Sequence, residues 1–149
     1  MDQTEDVLNE NSLLVSTFFI GQARFGIDTS KVQEVVVVRD ITPVYSSAAF
    51  VLGVMNLRGR IVTVVDTGEK LNLGAVPETE TRRIFIVRWS GEYVGLLVEQ
   101  VGDVANVDRE QVQKTPGNVA GVQAELINGV FPVDKHLVAL VNIERLLRE

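Results

Sequence analysis

Apolar residues in this chain come in short runs rather than long ones: Leu13 to Ile20, Val32 to Val38, Arg60 to Val65, Arg82 to Trp89, Tyr93 to Val98 and Leu137 to Val141. Each run is rich in Val, Ile or Leu and bounded by turn residues, the pattern of β-strands. Three dipeptides read as tight connections. Gly21-Gln22 suits a type II′ hairpin with glycine first, Ser90-Gly91 separates two strands by two residues, and Asn128-Gly129 is the strongest short hairpin signal present. Hairpins imply antiparallel neighbours. Helical periodicity is confined to the end, where Asn142 is expected as an N-cap before Ile143, Leu146 and Leu147, which fall on one helical face. The segment Gly74 to Thr81 around Pro77 reads as a linker, and Thr115-Pro-Gly-Asn118 as a long loop. From this pattern alone the chain is all-β, with a sandwich and one or two small barrels equally open.

At 149 residues the chain suits one domain, which buries roughly 68–70% of its unfolded surface. No apolar run approaches the roughly 20 residues of a membrane helix. Met1 to Ser12 carries Asp2, Glu5, Asp6 and Glu10 with no basic residue; it is expected as a solvated, flexible acidic tail preceding a single domain over 13–149, in a cytoplasmic protein. Cysteine is absent, which removes disulfides, thiolate catalysis and cysteine-ligated metals. The net charge of −6 disfavours nonspecific nucleic-acid binding. His136 is the single histidine and reads as a strand-end residue beside Asp134, and no glycine-rich phosphate loop occurs. Neither a metal nor a cofactor is expected.

The densest signal is Phe50-Val-Leu-Gly-Val-Met-Asn-Leu-Arg-Gly-Arg-Ile-Val-Thr-Val-Val-Asp66, two β-branched strands joined through Asn56-Leu57-Arg58-Gly59. Glycine at 59 permits a turn with φ > 0, and the turn is expected to lift Arg58 clear of the strands, leaving its planar guanidinium fork for a partner. Such a stretch holds things; it contains no catalytic apparatus.

This stretch resembles the signature of the CheW-like domain, the adaptor fold of bacterial chemotaxis. Phe25-Gly-Ile-Asp28 leading into Lys31-Val-Gln-Glu34, Tyr93-Val-Gly-Leu-Leu-Val98, and Leu137-Val-Ala-Leu-Val-Asn-Ile-Glu-Arg-Leu-Leu147 resemble the family's other ordered motifs, together covering about residues 13 to 148. The resemblance implies two intertwined five-stranded SH3-like β-barrels, packed side by side with strands shared between the halves, and a docking groove between them. It implies a non-enzymatic adaptor that couples the cytoplasmic tip of chemoreceptors to the regulatory domain of a CheA-type histidine kinase, recruited to membrane-associated arrays. A pilus or gliding pathway is the alternative setting. Carried over by position, the implied partner contacts are Val32, Glu34, Gly53, Arg58, Gly95 and Val104. Gly53 matches a glycine whose enlargement weakens kinase association, and Gly95 and Val104 match sensitive positions of the second barrel. Val32 and Val104 also suit ordinary core valines, and the two glycines suit close strand approach.

Three features depart from the family pattern. Thr67-Gly68 follows Asp66 where Leu-Arg is common, Phe25 stands where Tyr is frequent, and the chain ends just after its closing helix, which suits a free-standing adaptor. A different reading attaches to Val64-Val-Asp-Thr-Gly68, which matches the Asp-Thr-Gly pattern of aspartic proteases. Two aspartates would then have to share one proton across a dimer, and Glu69 would intrude. The competing expectation is that Asp66 caps a short helix, with Glu69 completing a capping-box-like pair.

Overall fold

The computed structural model describes residues 11–45, 48–115, 117, 119 and 121–148. The segment expected as an acidic tail lies, through residue 10, outside the described residues, as do Pro116 and Asn118 of the expected loop.

Among the described residues ten strands form two five-stranded sheets. The first contains β1 (Ser12–Ile20), β2 (Ala23–Asp28), β8 (Gln100–Asp108), β9 (Ile127–Val133) and β10 (His136–Val141), in the order β8-β1-β2-β10-β9. The second contains β3 (Val32–Val37), β4 (Val51–Leu57), β5 (Arg60–Asp66), β6 (Arg83–Trp89) and β7 (Glu92–Val98), in the order β3-β6-β7-β5-β4. Each forms a small SH3-like barrel. The intertwining is one of chain order: the second sheet is inserted whole between β2 and β8. Among the described residues no strand is hydrogen-bonded into both sheets, contrary to the expectation; what the halves share is core.

That sharing follows from strand geometry. Successive side chains of a strand point to opposite faces. On β1, Leu13 and Val15 therefore enter a core with Val107, Phe131, Val138 and Leu140, inside the first sheet. Phe18 and Ile20, on the opposite face, join the larger core built with the second sheet. Strand β10 divides in the same way, Val138 and Leu140 against Ala139 and Val141. Phe18 sits 5.5 Å from Phe25 and 5.8 Å from Phe85 between ring centroids, so aromatic packing crosses from one sheet to the other. Burial on both faces explains why 138–141 shows no polar alternation, whereas Leu137 is exposed.

Two hairpin expectations hold and one fails. Gly21, at φ +59°, connects β1 to β2, and Ser90 and Gly91, at φ +54° and +80°, connect β6 to β7. Asn128-Gly129 is not a turn but part of β9, where the β9–β10 register shifts. A Cβ on Gly129 would come 2.5 Å from Val112 Cγ1 and 2.9 Å from Gln113 O, so its glycine serves close approach by the 112–113 segment. The real β9–β10 turn is Asp134-Lys135, both at positive φ without a glycine. Two ladders, β2–β10 and β5–β7, are parallel, which hairpin signals cannot reveal. Strand β8 has too few buried positions to stand out in sequence.

A four-residue helix α1 (Thr67–Lys70) follows β5, and α2 (Ile143–Leu147) closes the fold. Asn142 caps α2 as expected, accepting from Arg145 N at 3.0 Å, while Ile143, Leu146 and Leu147 are buried.

Candidate functional site

Strands β3 and β4 are the two outer strands of the second sheet, and the charged residues of the site lie where these edges face each other. The β4–β5 hairpin turns on Arg58 and Gly59, at φ +52° and +84°. Two consecutive positive φ values define a type I′ turn, whose twist matches antiparallel strands. Asn56 Oδ1 accepts from Gly59 N at 2.8 Å and locks the turn. A Cβ on Gly59 would meet nothing within 4 Å, so the requirement for glycine is conformational.

The turn aims Arg58 across the seam at Glu34 of β3, and Arg58 Nη2 donates to Glu34 Oε2. The expectation of an unengaged guanidinium is corrected here: the projecting turn brings it within reach of the β3 carboxylate. Exposure remains high, 69% for the Arg58 side chain and 33% for Glu34. A cleft of about 420 Å³ continues along the seam between Val36, Val37 and Arg39 on one side and Met55, Asn56 and Leu57 on the other. Val35 and Val37 are also exposed on β3, beside the ion pair.

The other four positions separate. Val32 begins β3, half buried against the larger core. Gly53 is buried in β4 at φ +148°, where the β4–β5 register shifts; a Cβ would come 2.1 Å from Thr42 O, because Thr42 and Val54 exchange backbone hydrogen bonds at 2.8 Å. Gly95 is buried in β7, where a Cβ would come 2.7 Å from Ile84 Cγ2. Both glycines lie inside the sheet. Val104 is 57% exposed, so it is not a core valine, and it lies on β8 of the first sheet rather than in the second barrel. The cleft between the halves, lined by Ile20, Gln22, Leu73 and Pro77 among others, includes none of the six.

Asp66 has a different fate. Buried to 2% exposure, its carboxylate accepts from Glu69 N at 3.0 Å, capping α1, and from Val76 N at 3.0 Å. Its own N–H donates to Phe50 O at 2.7 Å, so the reciprocal Glu69 bond of a capping box is superseded. This carboxylate holds the chain together and is closed to substrate, which does not favour the protease reading. The segment expected as a linker is thereby pinned through buried Val76. Gly68 is buried as well, and a Cβ there would come 2.3 Å from Gly74 O. The arginine common in the family at this position has no room here.

Sequence reasoning missed the surroundings of Tyr93. Arg60 lies over its ring at 4.3 Å and Arg88 at 5.6 Å, next to Arg58. Only the Arg88–Tyr93 pairing was available in advance, by counting back from the Ser90-Gly91 turn.

The family model described as the CheW-like domain matches residues 15–149. A Thermotoga maritima protein named Chemotaxis protein CheW is 31% identical over 149 residues, covering 100% of this chain and 95% of its own. A Rhizobium etli protein named Probable chemotaxis protein CheW is 29% identical over 142 residues, covering 95% and 92%. Among solved structures, the crystal structure of the scaffolding protein TtCheW from Thermoanaerobacter tengcongensis superposes with a TM-score of 0.86 at 25% identity, over 95% of this chain and 91% of that one.

Proposed function

The chain belongs to the CheW-like domain family, a family of chemotaxis scaffolds, and from that premise we propose that it is a non-enzymatic adaptor coupling chemoreceptors to a CheA-type histidine kinase. The observation carrying this reading is the Glu34–Arg58 seam, which lies on an exposed barrel edge and joins two of the positions that the resemblance implies for partner contact. Val104 offers an exposed apolar contact on the other sheet. Two surfaces on two barrels suit simultaneous engagement, which raises the effective concentration of each partner for the other.

On this reading the adaptor does no chemistry. An incoming partner either inserts between Glu34 and Arg58, taking over the guanidinium, or docks on the pair as one unit. Insertion exchanges one charge-assisted bond for another and is therefore nearly reversible, as a signalling contact requires. The receptor's two signalling states must then differ in how well they fit, because equal affinity shifts nothing. Among the described residues no helix is long and apolar enough to cross a membrane, and residence in the cytoplasm, with recruitment to receptor arrays, is part of the proposal.

Co-purification with mass-spectrometric identification of bound proteins tests it. A histidine kinase and a chemoreceptor recovered together are expected; recovery of neither from cells expressing both would contradict it.

A further inference from the structure

The face of the second sheet beside the seam carries two arginines around one tyrosine. Arg60 opens β5, Arg88 lies near the end of β6, and Tyr93 on β7 stands between them. Measured to the ring centroid, the guanidinium carbons lie at 4.3 and 5.6 Å. The two cations are therefore within about 10 Å of each other, comparable with the Debye length of about 8 Å at physiological salt, so their repulsion is only partly screened. Both arginines are exposed and Tyr93 is half buried. Among the described residues neither Arg60 nor Arg88 forms an ion pair; the ion pair of this region, Glu34 with Arg58, lies at its border.

This arrangement is unusual for a chain with net charge −6. Stacking on an aromatic face holds a guanidinium in place through its π surface and leaves its N–H edge pointing outward for hydrogen bonding. Tyr93 thus orders two forks that repel each other. The adjoining cleft of about 270 Å³ is lined by Leu57 and Ile86 together with Gln33, Arg60 and the paired Glu34 and Arg58. An aromatic ring ordering two arginines is a composition enriched in protein-interface hot spots.

We propose that Arg60, Arg88 and Tyr93 form an acid-recognition clamp for a partner protein segment carrying two carboxylates around an aliphatic side chain. One carboxylate meets each guanidinium, and the aliphatic group lies against half-buried Leu57 at the mouth of the cleft. The bound segment relieves the repulsion that the empty clamp maintains. A phosphate polymer fits less well: the patch is small, the Glu34 carboxylate borders it, and the chain carries a net charge of −6. The clamp extends the proposed adaptor surface and rests on that reading only for which partner supplies the segment.

The probe is a synthetic peptide with a Glu-Leu-Glu centre in a Ser-Gly frame, titrated into the ¹⁵N-labelled chain and followed by NMR. Saturable shifts are expected at Arg60, Arg88 and Tyr93, weakening as salt is raised. The Arg60→Gln/Arg88→Gln variant should bind roughly ten- to hundredfold more weakly while melting like the parent. The Arg60→Lys/Arg88→Lys variant should fall between, since charge survives and the stacked fork does not. No saturable shift at these residues at several millimolar peptide would overturn the clamp. Equal response to a Gln-Leu-Gln peptide, or tighter binding of tripolyphosphate than of the Glu peptide, would also overturn it. Because the probe is a peptide, this result stands or falls separately from the recovery of kinase and receptor.

Discussion

Strand β5 carries a charged group just before one end and at the other, and their circumstances are opposite. Arg58, in the turn before the strand, is largely exposed and held by one carboxylate, Glu34. Asp66, the last residue, is buried and held by backbone N–H groups of Glu69 and Val76. The difference separates two uses of charge. A carboxylate surrounded by backbone donors in the interior fixes local structure, since removing it strands those donors. An exposed ion pair adds little stability, typically up to about 1 kcal/mol, and its guanidinium stays available for exchange.

The contrast predicts a graded set of outcomes. Asp66→Ala should be the most damaging change, destabilising by about 3 kcal/mol through loss of the α1 cap and the Val76 anchor, as read by urea unfolding. A loss under about 1 kcal/mol would erase the distinction between the two ends of β5. Gly53→Ala should cost about 2 kcal/mol or more, because a Cβ collides with the Thr42 carbonyl at a φ that L-residues avoid. Its melting temperature should fall even with no partner present, which distinguishes a buried strand defect from a lost contact. Arg58→Ala should change stability by under about 1 kcal/mol yet weaken partner binding roughly ten- to hundredfold in calorimetry. Thr67→Val should have the smallest effect: the hydroxyl is fully buried and has no hydrogen-bond partner among the described residues, so the substitution should leave stability unchanged or raise it by up to about 1 kcal/mol.

Local signals carried the reading of the sequence a long way and then stopped at defined places. Asp66 followed three residues later by Glu69 announced a capped helix, and Gly59 announced a tight turn, because both depend on neighbours a few residues away. The Glu34–Arg58 contact joins residues 24 apart through closure of a barrel, and nothing local encodes it. Arg60 meets Tyr93 through the parallel β5–β7 ladder, again beyond the range of hairpin logic. Asn128-Gly129 misled for the converse reason. A dipeptide suited to a turn was used where the strand had to admit the 112–113 segment, while Asp134-Lys135 formed the turn without glycine. The resemblance implies Gly53 and Gly95 as sensitive positions, but their burial is visible only with the sheet around them.

The most direct test of the adaptor claim is ternary assembly: the purified chain mixed with the regulatory domain of a CheA-type histidine kinase and the cytoplasmic tip of a chemoreceptor from the same cells, with masses read by light scattering after size exclusion. One complex containing all three is predicted for the parent chain, with Arg58→Ala folded but depleted from it. A parent chain that elutes alone in the presence of both proteins would contradict the account.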